Sequence, residues 1–241
     1  MPNHVVFDVV GTCVSFDAFY QTIETTLGSQ LRAHNLTAQT LGFTWMTNAE
    51  LQFTFLSISE SYKPYKLILT ELFYQTLHMI GIADPHAFAT MEQRDLCVEG
   101  YAALELRPGT RDCFAQLRAA GFTVWCLTTG DTARVRGYFE RAGVDMPLEN
   151  FISCDTTGVA KPALAAYRPA LDKLEPLGGE KWFAAAHLWD VAAATKVGFR
   201  GAYCTVYERE GAFGVFEAGL ELVEGSLEGM AGGIIRMSNV Q

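Results

Sequence analysis

The stretch His4–Cys13, HVVFDVVGTC, decides the fold. Val5, Val6 and Phe7 form a short apolar run of the kind that makes a parallel strand buried on both faces. Asp8 closes the run, and Val9-Val10-Gly11-Thr12 turns the chain away. A carboxylate at the C-terminal end of a buried strand stands where open α/β sheets place their ligands. Leaving a lone charge buried is costly, so Asp8 needs donors, a cation or a proton beside it. An Asp in this position can also simply cap the turn that follows it. The rest of the chain separates the two readings.

Downstream of Thr12 the pattern changes. Residues 16–35 carry helical spacing, and the segment WMTNAELQFTFLSISESYKPYKLILTELFYQTLHMIG continues it with no strand signal. Pro64 divides that segment or opens its second helix. Ala83-Asp84-Pro85 is a break, and residues 86–102 return to helix. About eighty helical residues exceed what a crossover needs, which is about a dozen or more. The expectation is an inserted helical cap over 15–100, with 1–14 and 101–241 forming the core domain and the site between the two.

From Leu106 strands and helices alternate. Strands are expected at Phe122–Leu127, Phe151–Cys154, Trp182–Ala186 and Ala202–Val206, with helices at 110–120, 132–142, 163–174 and 191–197. Beyond Tyr207 the periodicity weakens, and the Gly-rich 229–233 reads as a loop. This alternation predicts an α/β fold with a doubly wound parallel sheet. Polar residues follow successive strands: Asp8 and Thr12, Thr128 and Thr129, Lys161, His187 and Asp190. Groups far apart in sequence but all at strand C-termini converge on one edge of such a sheet.

Composition narrows the function. The 241 residues are 49% hydrophobic with a net charge of −9, and no basic block offers itself to nucleic acid. No apolar run is long enough to span a bilayer, and no signal-like segment opens the chain. The six cysteines have no metal or CxxC spacing, so they read as buried apolar residues in a reducing, cytoplasmic setting. The expected partner is a small-molecule substrate, with no nucleic acid, no membrane, no metal and no cofactor; homodimer formation is left open.

The ordered set resembles the haloacid dehalogenase superfamily, and within it the type II L-2-haloacid dehalogenases, over residues 4–207. The AAHLWD and VYERE stretches look similar to fungal members. The resemblance implies a core with a cap and assigns roles. Asp8 of FDVVGT is the nucleophile, Thr128 binds the substrate anion, and Lys161 ahead of Pro162 steadies the nucleophile. Tyr167 assists, and Asp190 is the final acid. An ammonium beside Asp8 would keep the carboxylate ionised without water, and the Thr12 and Thr128 hydroxyls could bind an oxygen anion.

Departures from the family sharpen the reading. Superfamily phosphatases carry a second Asp two residues after the nucleophile and another four residues before the last acid; here these are Val10 and Ala186. Magnesium needs such oxygen ligands, so a magnesium phosphatase is rejected. The dehalogenases also place an arginine after a cap Trp to hold substrate carboxylate. Here Trp45 is followed by Met46, and no arginine lies between Arg32 and Arg94. The family's usual Asn near the last motif becomes His187, which can act as acid or base. The expected catalytic set is therefore Asp8, Lys161, Asp190 and His187. Thr12, Thr128, Thr129, Tyr167, Trp45 and Met46 are expected to contact a fairly apolar substrate. Three functions remain in contention: a hydrolase acting at a C–halogen or epoxide carbon, an epoxide-opening isomerase or cyclase of secondary metabolism, and a silent binding protein.

Overall fold

The computed structural model describes residues 1–217 and 219–238. The chain forms two compact units, Met1–Ser15 with Leu106–Gln241, and Phe16–Glu105.

The first unit opens with β1 (Asn3–Asp8) and β2 (Val14–Ser15). The second unit carries α1 (Asp17–Ala33), α2 (Ala38–Ile58), α3 (Tyr65–Glu71), α4 (Phe73–Met79), α5 (Pro85–Phe88) and α6 (Met91–Ala102). Residues expected as one helix at 86–102 form two, because Thr90 and Gln93 make a reciprocal capping box that starts α6 afresh. Pro64 directly precedes α3, where its fixed φ suits a helix start. The helices pack through Trp45, whose ring lies 5.6 Å from Phe19 and 4.8 Å from Phe73. Gly42 permits a close approach: a Cβ there would come within 2.7 Å of the Tyr20 ring.

The chain then makes β3 (Glu105–Leu106), α7 (Thr110–Ala119), β4 (Phe122–Thr128), α8 (Thr132–Arg141), β5 (Phe151–Ser153), α9 (Cys154–Thr157), α10 (Leu164–Leu174), β6 (Lys181–Ala185), α11 (Leu188–Val197), β7 (Arg200–Cys204), β8 (Leu220–Glu224) and α12 (Leu227–Ser238). Six strands form one parallel sheet in the order β5-β4-β1-β6-β7-β8. This is the doubly wound α/β architecture expected from the alternation. The order reverses beside β1: the chain builds outward through β4 and β5, then returns to place β6 against the other side of β1. Such a switch point opens a crevice at the strand C-termini, and Asp8 stands there.

Two expectations fail in the last thirty residues. Gly-rich 229–233 is not a loop but the middle of α12, and β8 is a strand that the sequence pattern does not announce. Leu227, Met230, Ala231 and Ile234 recur at helical spacing and are buried, so one apolar face overrides the glycines' poor propensity. Gly233 is there for contact: a Cβ would lie 2.6 Å from Leu222 of β8. The alternation in β8 is half-buried at best, which leaves it without a clear sequence signal. Among the described residues no helix is long and apolar enough to cross a membrane, and all six cysteines are buried free thiols.

Candidate active site

The loop after β1 sets the direction of the Thr12 side chain. Gly11 takes a φ of 89°, a left-handed conformation that costs glycine nothing. The turn closes with Cys13 N donating to Val9 O at 2.8 Å and Val14 N to the same oxygen at 3.0 Å. Arg107 clamps it from outside: Nε donates to Thr12 O at 3.1 Å and Nη2 to Gly11 O at 2.8 Å. The loop thereby turns the Thr12 hydroxyl back onto its own strand.

Thr12 Oγ1 donates to Asp8 Oδ2 at 2.7 Å and accepts from Ala186 N at 2.8 Å. One hydroxyl ties the exits of β1 and β6, the two strands at the switch point. Lys161 reaches in from the loop before α10, almost wholly buried. Its Nζ donates to Asp8 Oδ1 at 3.0 Å and to Asp190 Oδ2 at 2.8 Å. The other Asp190 oxygen accepts a hydrogen bond from Tyr167 Oη. Asp190 lies in the first turn of α11, which begins at Leu188 rather than at the expected residue 191. His187 immediately precedes that helix. Its Nδ1 stands 3.4 Å from Asp8 Oδ2, an ion-pair separation, yet finds no hydrogen-bond partner among the described residues.

The electrostatics follow from this packing. Burial pushes the Asp8 carboxyl upward, but Lys161, His187 and Thr12 outweigh it and hold Asp8 well below the ordinary carboxylate range. Asp190 goes the other way: burial and the neighbouring Asp8 charge raise it against the pull of Lys161 and Tyr167. Burial disfavours the Lys161 ammonium, but the two carboxylates hold it above the usual lysine value. His187 is lowered by burial and raised more strongly by Asp8, Asp190 and Glu208, so it ends above its ordinary value. With both carboxylates ionised, one ammonium leaves one negative charge over; an imidazolium balances it.

Asp8, Thr12, Lys161, Tyr167, His187 and Asp190 therefore form one contiguous network. Thr128 and Thr129 sit at the end of the adjacent strand β4, where Thr128 Oγ1 accepts from Gly130 N at 3.1 Å. Neither threonine is hydrogen-bonded to Asp8 among the described residues. Trp45 is fully buried within the helical unit, where its Nε1 donates to Leu69 O at 2.7 Å, and Met46 O accepts from Tyr65 Oη at 3.1 Å. Both are held by that unit's own core. Glu208 was not foreseen: its Oε2 accepts from Leu188 N at 3.0 Å and from Tyr203 Oη at 2.7 Å. It follows β7 by four residues, the same kind of placement as the other polar groups, but the sequence pattern carries the strand on to Val206 and hides it.

The residues do not fit magnesium. Val10 and Ala186 supply no carboxylate, and among the described residues no cluster of three or more His, Cys, Asp or Glu could hold a metal. Lys161 Nζ itself occupies the place between the two acids.

A family model for haloacid dehalogenase-like hydrolases matches residues 2–198. The chain belongs to that family. Among curated relatives, (S)-2-haloacid dehalogenase 1 from Pseudomonas sp. (strain CBS-3) is 25% identical over 198 residues, 80% of this chain and 83% of its own. (S)-2-haloacid dehalogenase 4A from Burkholderia cepacia is 26% identical over 106 residues, 44% of this chain and 46% of its own. In fold, the L-2-haloacid dehalogenase from Xanthobacter autotrophicus superposes with a TM-score of 0.76 at 19% identity, covering 100% of both chains. This family member thus shares its architecture with dehalogenases of known structure.

Proposed function

We propose that this chain is a metal-independent hydrolase that uses Asp8 as a nucleophile at carbon. Its substrate is a small, fairly apolar organic molecule with a reactive C–halogen or epoxide C–O bond. The observation that carries this reading is Asp8 held ionised in a buried setting by Lys161, 3.0 Å away. A carboxylate stripped of water but kept charged is a competent nucleophile. The family membership and the dehalogenase relatives support the same chemistry.

In the first half-reaction an Asp8 oxygen bonds to the substrate carbon and the leaving group takes the bond's electron pair. A halide departs as the anion. An epoxide oxygen departs as an alkoxide, which takes the proton of the His187 imidazolium. Water then attacks the ester carbonyl of Asp8, regenerating the carboxylate and releasing the alcohol or diol. In the epoxide case His187 is neutral by then and accepts the water's proton, closing the cycle; in the halide case His187 has kept its proton, and the one released by the attacking water passes to solvent. Lys161 and Thr12, already hydrogen-bonded to the carboxylate, stabilise the charge on the tetrahedral intermediate.

His187 beside Asp8 favours the epoxide branch, since a halide needs no proton and an alkoxide does. The same acid could open an epoxide without adding water, which is the isomerase or cyclase alternative. A neutral substrate is favoured by the arginines. None lies between Arg32 and Arg94, and Arg107 donates to Gly11 and Thr12 carbonyls. Losing a buried charge-assisted partner for a substrate carboxylate would cost roughly 2–5 kcal/mol. The test compares chloride release from 2-chloropropionate with ring opening of styrene oxide. Faster turnover of the epoxide is expected; efficient chloride release would restore an ordinary haloacid dehalogenase.

A further inference from the structure

The turn leaving β7 grips the segment that carries His187. Thr205 N donates to Glu224 O at 2.9 Å, which ties the turn to β8, and Arg209 N donates to Thr205 O at 2.8 Å. Arg209 adopts a φ of 66°, the left-handed region that a non-glycine residue enters only when its surroundings impose it. This turn presents two side chains to the start of α11. Tyr207 sets its ring edge-to-face on the His187 imidazole, 5.0 Å between centroids. Glu208 accepts from Leu188 N, one of the amides that a helix start leaves unpaired, and from Tyr203 Oη.

We propose that Glu208 is a positioning residue for His187: by holding Leu188 N it fixes the peptide on which the imidazole is mounted and sets a carboxylate at that mount. The proposal rests on the proton-carrying role of His187 set out above for its catalytic consequence, but the geometry stands apart from any substrate. A carboxylate at a helix N-terminus is stabilising by itself, so a capping role alone would affect stability and nothing else. Positioning predicts more. The charged groups around His187 are Asp8 at the end of β1, Lys161 before α10, Asp190 within α11 and Glu208 after β7. Glu208 is the member of this set that touches neither Asp8 nor Lys161 through a hydrogen bond or ion pair, so it can be neutralised without dismantling the nucleophile's own contacts.

The experiment titrates the imidazoles of the full chain labelled with 15N-histidine, identifying His187 by the signal missing in His187→Asn. Glu208→Gln keeps the shape and an amide oxygen for Leu188 N but removes the charge. The His187 midpoint should fall by roughly half a pH unit. Above that midpoint the protonated fraction, and with it kcat on styrene oxide, should fall about threefold with KM unchanged. Glu208→Asp, which restores the charge, should recover most of the shift, and Glu210→Gln should leave His187 alone. An unchanged His187 midpoint in folded Glu208→Gln overturns the proposal, whatever happens to thermal stability. Should that variant not fold, Tyr203→Phe decides. It frees one anchor of Glu208, and a His187 signal unaltered in position and line width would equally refute the proposal. The titration needs no turnover, so it separates failure here from failure of the epoxide reading.

Discussion

Two imidazoles at neighbouring strands of one sheet, His4 fully buried and His187 partly exposed, meet opposite fates. His4 lies near the start of β1, fully buried between the registers of Thr123 and Lys181. Neither of its ring nitrogens finds a hydrogen-bond partner among the described residues. Burial, helped by the Lys181 charge, pushes it below the usual histidine value, against the pull of the Gly178 backbone. His187 follows β6 at the other end of the sheet with its side chain 16% exposed, and three carboxylates hold it above that value. Burial alone makes a histidine a neutral packing group. Burial beside unbalanced negative charge makes it an acid.

The largest break in this contrast comes from Asp8→Asn. It removes the proposed nucleophile, and turnover of styrene oxide should fall by roughly a thousandfold or more. It also removes the nearest charge on His187, whose midpoint should drop toward that of His4. Near-normal turnover by the folded variant would refute the assignment.

Lys161→Met is the severe test of the network. It leaves Asp8 and Asp190 buried and facing each other without their shared cation. Removing one partner of a buried ion pair costs about 3–5 kcal/mol, and chemical denaturation should show a loss of that order. Asp190→Asn introduced alongside should recover part of it, since one of the unpaired charges is then gone.

The two histidines also pull the pH dependence of stability in opposite directions. The stabilisation from Asp8 is present above about pH 4 and fades as pH falls, because its folded value is depressed. A raised His187 contributes fully below about pH 6.5, and that contribution is lost as pH rises through its folded midpoint. A lowered His4 has the reverse sign: the fold holds it neutral, and stability is lost as pH falls below about 6.5. Melting temperatures from pH 5 to 9 should therefore lose their alkaline decline in His187→Asn. His187→Asn and wild-type curves that run parallel would contradict this.

The smallest effect is expected at His4. Replacing an unpartnered buried imidazole by Leu removes polar atoms that gain nothing from burial, so the change should be neutral or stabilising by up to about 1 kcal/mol. The acid-side loss should also shrink. A strongly destabilised His4→Leu would mean the ring nitrogens are satisfied after all.

Much of this was legible in the sequence. The apolar run ending at Asp8, and polar residues following each strand, were enough to place Asp8, Thr12, Lys161, Asp190 and His187 on one sheet edge. What they could not convey is which atoms meet. Nothing in the spacing says that Thr12 bridges two strands, or that one lysine serves two acids. Trp45 enters the expected substrate contacts through the family resemblance alone; in the structure its Nε1 donates to Leu69 O inside the helical unit. Glu208 carries no comparable signal because the apolar pattern runs on to Val206, two residues past the end of β7, and glycines and weak alternation mask the buried faces of β8 and α12.

Covalent attachment of Asp8 to the substrate carbon would leave an isotopic record. A single turnover of styrene oxide by excess enzyme in 18O-labelled water is followed by mass analysis of product and of the peptide containing Asp8. Attack by Asp8 on carbon puts unlabelled oxygen in the product's new hydroxyl and one 18O in the Asp8 carboxylate. Label in the product with none in Asp8 would mean that water attacks the carbon itself, and product with no label in either place would mean rearrangement without hydrolysis.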